Sequence, residues 1–221
     1  MLAFAHEYAL YEEKFDILIG IDEVGRGCVA GPVYAAATCF SLKSSELLED
    51  FEALKLKDSK LLSEKKRTHL FDELIKNSIK DLGFSYELAF CSEEEIDRIN
   101  ILKASHLCMW KALEKILKKH KNKKALVLVD GHIVPDQMKE LKNYVGTKVR
   151  AIIKGDNKSF AIAAAALLAK VTRDDLMKDL ALKNPEYLWH KNKGYPTKEH
   201  KLAIAEFGIT QHHRKTFKMS L

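Results

Sequence analysis

The chain has 221 residues, 47% hydrophobic and 31% charged, a balance that gives an ordinary globular protein one principal core. No apolar run reaches the roughly 18 residues a membrane span needs, and the first residues lack the basic-then-apolar order of a secretory leader. A cytoplasmic protein with no membrane partner is therefore expected. Net charge is +6, but residues 1–100 carry 12 Lys and Arg against 20 Asp and Glu, whereas residues 101–221 carry 25 against 11. So basic a second half suits a solvated lysine surface or a nucleic-acid partner.

In chain order, residues 16–23 alternate and residues 33–40 form an apolar run, and the Gly, Arg and Pro between them predict a hairpin. Helical spacing follows over residues 63–76, with Ser63 as N-cap, then a third strand over 83–90. Residues 100–120 read as one amphipathic helix with Ile101, Leu107, Trp110, Leu113 and Leu117 near one face. Residues 125–129 predict a buried strand ending at Asp130, and residues 149–153 a shorter one. The alanine-rich stretch 159–171 predicts a helix apolar all round, lying close against another element because its side chains are small. After Asn184-Pro185 the composition turns polar, with a turn at Gly194-Tyr195-Pro196 and a helix over 197–207 capped by Thr197. Strands and helices in this order make an α/β fold, a mixed five-stranded sheet flanked by helices with a small C-terminal helical extension. The division expected is a domain over residues 1–184 and an extension over 185–221 packed on it.

Chemistry concentrates at element ends. Asp22 and Glu23 close an apolar strand, where unpaired carboxylates cost several kcal/mol, roughly, unless a cation or donors compensate them. Successive strand residues face opposite ways, so both serve one site only if the strand ends or twists there. Asp130 alone reads first as a turn aspartate, and Asp156 as an N-cap. Together the four supply the oxygen ligands of a two-metal phosphoryl site. Gly25-Arg26-Gly27 is an ordinary turn sequence, or a loop offering backbone groups to a sugar and Arg26 to a phosphate. No Walker lysine motif occurs, which disfavours ATP. Cys28, Cys39, Cys91 and Cys108 lack metal-ligand spacing and read as reduced core residues.

Gly20-Ile21-Asp22-Glu23-Val24-Gly25-Arg26-Gly27, with Ala30-Gly31-Pro32-Val33, resembles the opening signature of the type 2 ribonucleases H, the ribonuclease HII family. Further blocks follow in family order: Lys57-Asp58-Ser59-Lys60, Val129-Asp130-Gly131, Lys154-Gly155-Asp156, Ala169-Lys170-Val171-Thr172-Arg173-Asp174, Gly194-Tyr195 and His213-Arg214. The resemblance implies a ribonuclease H-like fold and a metal-dependent endonuclease. Its substrates would be RNA/DNA hybrids and duplex DNA with embedded ribonucleotides, cut 5′ to the ribonucleotide. It further implies Asp22, Glu23, Asp130 and Asp156 as ligands of Mg²⁺ or Mn²⁺. By the same similarity Gly25, Arg26 and Gly27 would sense the 2′-hydroxyl, Tyr195 would stack on the neighbouring sugar, and the protein would be a monomer.

Lys57, Ser59, Lys60, Lys154, Lys158 and Lys170 are candidate phosphate contacts, although any single lysine among them reads first as a solvated surface charge. Asp174 reads as a cap or an ion-pair partner near Arg173. The chain departs from the family at Val24, Cys28 and Ala166, where Ala, Pro and Ser are common. Residues 211–217 match a sliding-clamp peptide only in part, so no clamp binding is expected from them. Two rival readings are a non-catalytic nucleic-acid-binding module, against which the intact carboxylates speak, and a Mg²⁺-dependent phosphotransferase, against which the missing phosphate loop speaks.

Overall fold

The structure is a computed structural model and describes residues 15–42, 62–79, 83–139, 141 and 146–217. β1 (Ile17–Val24) and β2 (Val33–Ser41) pair antiparallel, and β3 (Phe84–Cys91) adds antiparallel to β2. On the other edge of β1, β4 (Ala125–Asp130) and β5 (Lys148–Ile152) continue in parallel. The order β3-β2-β1-β4-β5 puts β1 at the centre of a mixed five-stranded sheet, as the sequence predicts.

Alternation along β1 sorts the two cores. Leu18 joins Leu126 and Leu128 of β4 against α5 (Phe160–Lys183) and α1 (Glu64–Ile79). Ile17, Ile19 and Ile21 join Val127 and Val129 against α3 (Ile101–Lys119) on the opposite face. Each such buried aliphatic side chain contributes about 1.5–3 kcal/mol. The close approach expected of the alanine helix falls at Gly20, where an added Cβ would lie 2.1 Å from the Ala161 carbonyl carbon. Thr38 seals the contact, its hydroxyl donating to the Ala161 carbonyl at 2.8 Å.

Two local differences from the sequence reading stand out. The helix expected to start at Asn100 is preceded by a separate one, α2 (Glu93–Ile99), which opens on a reciprocal capping box between Ser92 and Glu95. Asn100, at φ +68°, breaks the two helices and caps α3 by accepting the Lys103 N–H at 3.1 Å. The alanine helix does not stop at residue 171 but runs to Lys183, its second half carrying the buried Arg173 and Met177. Ser63 caps α1 as expected, accepting the Lys66 N–H at 3.4 Å.

The described residues also form three shorter helices, α4 (Asp136–Lys139), α6 (Trp189–Asn192) and α7 (Lys198–Phe207), the last capped by Thr197 as predicted. A satellite core of Tyr187, Trp189 and Ala203 packs on Met177 and Ala181 of α5 and on Ala30 of the β1–β2 connection. Residues from the chain's two ends thereby meet beside the C-terminal end of β1.

Candidate active site

The β1–β4 ladder closes at Ile21–Val129, one residue before Asp22 and Asp130, so both carboxylates stand where neighbouring parallel strands part. Ligand sites of α/β sheets characteristically open at such strand ends. On its other edge β1 stays paired through Val24–Tyr34, so Asp22 and Glu23 keep the strand's alternation. Asp22 follows Leu18 and Gly20 on the α5 side, is 3% exposed, and accepts the Glu23 N–H at 2.7 Å.

Glu23 turns the other way, into a cleft lined by Arg26, Asp130, Ser105, His106, Met109 and His132. Its Oε1 accepts from Arg26 Nη1 at 3.1 Å, while its Oε2 is buried without a partner among the described residues. Burial pushes the Glu23 carboxyl above its ordinary range; Arg26 pulls it down, and the charge of Asp130 adds to the rise.

Asp130 is tied to the turn that carries Asp156. Its Oδ1 accepts the Gly155 N–H at 2.6 Å, and a Cβ at Gly155 would sit 3.2 Å from that oxygen and 2.5 Å from Ile162 Cδ1. Asp156 lies in a 3-10 turn, Gly155–Asn157, entered through Lys154 at φ +55°. The N-cap of α5 is Ser159, whose hydroxyl accepts the Ile162 N–H at 3.2 Å, so Asp156 is not spent on capping.

Among the described residues no three His, Cys, Asp or Glu side chains are already gathered tightly enough to hold a metal ion. Glu23 nonetheless fits one, since a cation would satisfy its orphaned oxygen and relieve the cost of its buried charge. Asp130 stands close enough for its charge to act on Glu23, and Asp22 precedes Glu23 on the same strand end, facing the α5 side.

The glycine loop stands beside Tyr195. A Cβ on Gly27 would lie 3.6 Å from Tyr195 Cε1, and the tyrosine is 41% exposed. Gly25 adopts φ +92°, and a Cβ there would come within 2.3 Å of Arg173 Nε, so only glycine fits. Cys28 is buried, and its N–H donates to the Gly25 carbonyl at 3.4 Å, a bond that proline would not make.

Of the candidate phosphate contacts, Lys154 and Lys158 are exposed next to Asp156. Lys170 is tied to Asp174 at 2.7 Å, which makes Lys170, not Arg173, the ion-pair partner of Asp174. Lys57, Ser59 and Lys60 lie outside the described residues.

Sequence reasoning missed the residues that hold this corner together. Arg173 and Arg214 are fully buried and donate to backbone carbonyls of the β1–β2 connection. Burial lowers the Arg214 guanidinium to about 10, high enough to keep its charge at neutral pH. Behind Tyr195, Trp189 Nε1–H donates to His200 Nε2 at 3.0 Å, so His200 donates through Nδ1 to the Tyr195 carbonyl at 2.8 Å. His213 Nδ1 accepts the Thr210 N–H at 2.9 Å, leaving its Nε2 proton aimed at His200 Nε2, 3.2 Å away. Both imidazoles are thus neutral. Burial pulls each below the usual histidine range, and His213, beside His200 and His212, falls to about 4. The signal in the sequence was a cluster of histidines and aromatics in a polar tail, but nothing in their spacing names their partners.

The sheet order and the parted strand ends define a ribonuclease H-like protein. The fold is shared with an RNase HII solved from Archaeoglobus fulgidus in complex with PCNA, at 27% identity and a TM-score of 0.71 over 93% of this chain and 96% of that one. It is also shared with Bst-RNase HIII solved in complex with Mn²⁺, at 17% identity and a TM-score of 0.72 over 95% of this chain and 69% of that one. The family model described as Ribonuclease HII matches residues 19–220. A curated Ribonuclease HII of Pelagibacter ubique is 46% identical over 201 residues, 91% of this chain and 95% of the relative. The chain belongs to the ribonuclease HII family and is a type 2 ribonuclease H, an endoribonuclease.

Proposed function

We propose that this chain is a metal-dependent endonuclease that hydrolyses the RNA strand of RNA/DNA hybrids and cuts duplex DNA 5′ to a single embedded ribonucleotide. The products carry a 3′-hydroxyl and a 5′-phosphate, which suits the cytoplasmic work of ribonucleotide excision and primer removal. The observation that carries the reading is the meeting of three features at one corner: the parted strand ends with Asp22 and Asp130, the orphaned Glu23 oxygen, and the Gly27–Tyr195 contact.

Asp22, Glu23, Asp130 and Asp156 would hold Mg²⁺ or Mn²⁺, a reading supported by the donor set and by the Mn²⁺ complex of Bst-RNase HIII. Divalent ions bound there supply the Lewis acidity that phosphodiester hydrolysis needs at neutral pH. The chain's own groups orient the substrate. Amides of the Gly25–Gly27 loop receive the ribose hydroxyl that distinguishes RNA from DNA. Arg26, freed from Glu23, meets a phosphate. Tyr195 stacks on the next sugar, and Lys154 and Lys158, with Lys57, Ser59, Lys60 and Lys170, add contacts along the backbone. Residues 1–184 would act as the catalytic domain and residues 185–221 as a substrate-contacting extension, in a monomer.

The test is incubation with Mg²⁺ of three labelled duplexes: an RNA/DNA hybrid, DNA with one ribonucleotide, and all-DNA. Cleavage of the first two, with the cut 5′ to the single ribonucleotide, is the expected result. No cleavage of either by folded, duplex-binding protein, with Mg²⁺ or Mn²⁺, would favour the non-catalytic binding module instead.

A further inference from the structure

The connection between β1 and β2 carries the Gly25–Gly27 loop, and its carbonyls are held from the far end of the chain. Arg214 donates through Nη2 to the Gly25 carbonyl at 2.7 Å and through Nη1 to the Arg26 carbonyl at 3.1 Å. Its Nε and Nη2 also reach the Gly31 carbonyl, at 2.9 and 2.8 Å, and its own N–H donates to the Val29 carbonyl at 2.8 Å. Arg173 holds the Ala30 and Pro32 carbonyls at 3.0 and 2.9 Å, and the Lys193 carbonyl beside Gly194-Tyr195 at 2.8 Å. Neither side chain touches solvent, and every hydrogen bond described for it ends on the backbone.

A trans peptide unit points its C=O and N–H in opposite directions. Drawing the Gly25 and Arg26 carbonyls inward onto Arg214 therefore turns outward the N–H groups of the same two units, those of Arg26 and Gly27. Among the described residues neither amide is taken by another group of the protein. Gly27 itself lies beside Tyr195, whose own carbonyl is fixed by His200.

We infer that Arg214 is a positioning residue for sugar selectivity: its guanidinium fork sets the outward angle of the Arg26 and Gly27 amides, with Arg173 fixing the loop's other end against the tyrosine. The inference rests on the function proposed above. A fork is required because three nitrogens of one rigid guanidinium are engaged at once; a lysine ammonium offers its donors from a single atom and cannot align them all.

The experiment measures binding of Arg214→Lys and Arg214→Gln to a duplex with one ribonucleotide and to the matched all-DNA duplex. Ca²⁺ replaces Mg²⁺ to prevent turnover. Phosphate contacts are common to both duplexes and cancel in the ratio of affinities. The wild-type preference for the ribonucleotide should fall about tenfold in each variant, the effect of misaligning two hydrogen bonds, while all-DNA affinity stays within about twofold. Arg173→Lys should show a smaller loss of preference. Folded variants that keep the full preference would overturn the inference. So would a Lys variant that unfolds outright, since Arg214 would then hold the fold and not the selectivity. A wild-type protein with no preference would instead refute the proposed function and take this inference with it.

Discussion

Gly20→Ala tests the claim that close helix approach to β1 places the site. The new methyl would meet backbone at 2.1 Å (Ala161 C), 2.3 Å (Ala161 O) and 2.4 Å (Ile162 N), where ordinary contact begins near 3.4 Å. Backbone cannot rotate aside as a side chain can, so the first turn of α5 must withdraw by about 1 Å or more. Overpacking of this kind costs about 1–3 kcal/mol. The same withdrawal strips the Ala161 carbonyl of the Thr38 hydroxyl, at about 0.5–1.5 kcal/mol. The sum, about 1.5–4.5 kcal/mol, corresponds to a fall in Tm of roughly 3–18 °C for a chain of this size. Catalysis should suffer beyond the stability loss, because α5 begins just after Asp156 and Gly20 lies two residues before Asp22. Thermal unfolding by circular dichroism, with kcat/KM measured well below the new Tm, reads both effects. A variant that melts within about 2 °C of the wild type would refute the close-packing account.

Glu23→Gln should stabilise the protein in EDTA by about 1 kcal/mol, because it removes a penalised buried charge and loses only a half-exposed ion pair. It should also abolish the Tm gain on adding Mn²⁺, and a Gln variant less stable than wild type in EDTA would contradict the reading. His213 binds its proton far less readily in the folded protein than when unfolded, so stability should fall as pH drops from about 6.5 to about 4. The loss would be at most about 3 kcal/mol. Urea midpoints across that window check the sign, and His213→Gln should flatten the slope. Lys154→Ala and Lys158→Ala should each lower the salt dependence of duplex binding by about one unit of slope, equally for RNA-containing and all-DNA duplexes. An effect confined to one duplex would reassign them as specificity contacts.

Much of the fold lies in local pattern. Alternation in residues 16–23 and the apolar run at 125–129 define two adjacent strands, and the alanine content of α5 demands a close neighbour, which Gly20 provides. The helix start at Asn100 is legible in the amphipathic spacing that follows it, whereas α2, opened by the capping box Ser92–Glu95, is missed because its 7 residues are too few to show a period. Asp156 illustrates the limit of single positions, since a cap and a ligand look alike until Ser159 is seen to do the capping. Arg173 and Arg214 lie beyond any local pattern. Their partners on the β1–β2 connection are 141 to 189 residues away in the chain, and two fully buried guanidiniums resemble surface arginines in a sequence rich in basic residues.

The central claim is that the strand-end carboxylates form a catalytic metal site on a scaffold that binds its substrate without them. The most direct measurement is cleavage and binding, side by side, of a duplex with one ribonucleotide by the wild type and by Asp22→Asn in Mg²⁺. The variant should bind the duplex nearly as well as the wild type and cut it at least about a thousandfold more slowly. Cleavage by the Asn variant at a rate near that of the wild type would contradict that claim.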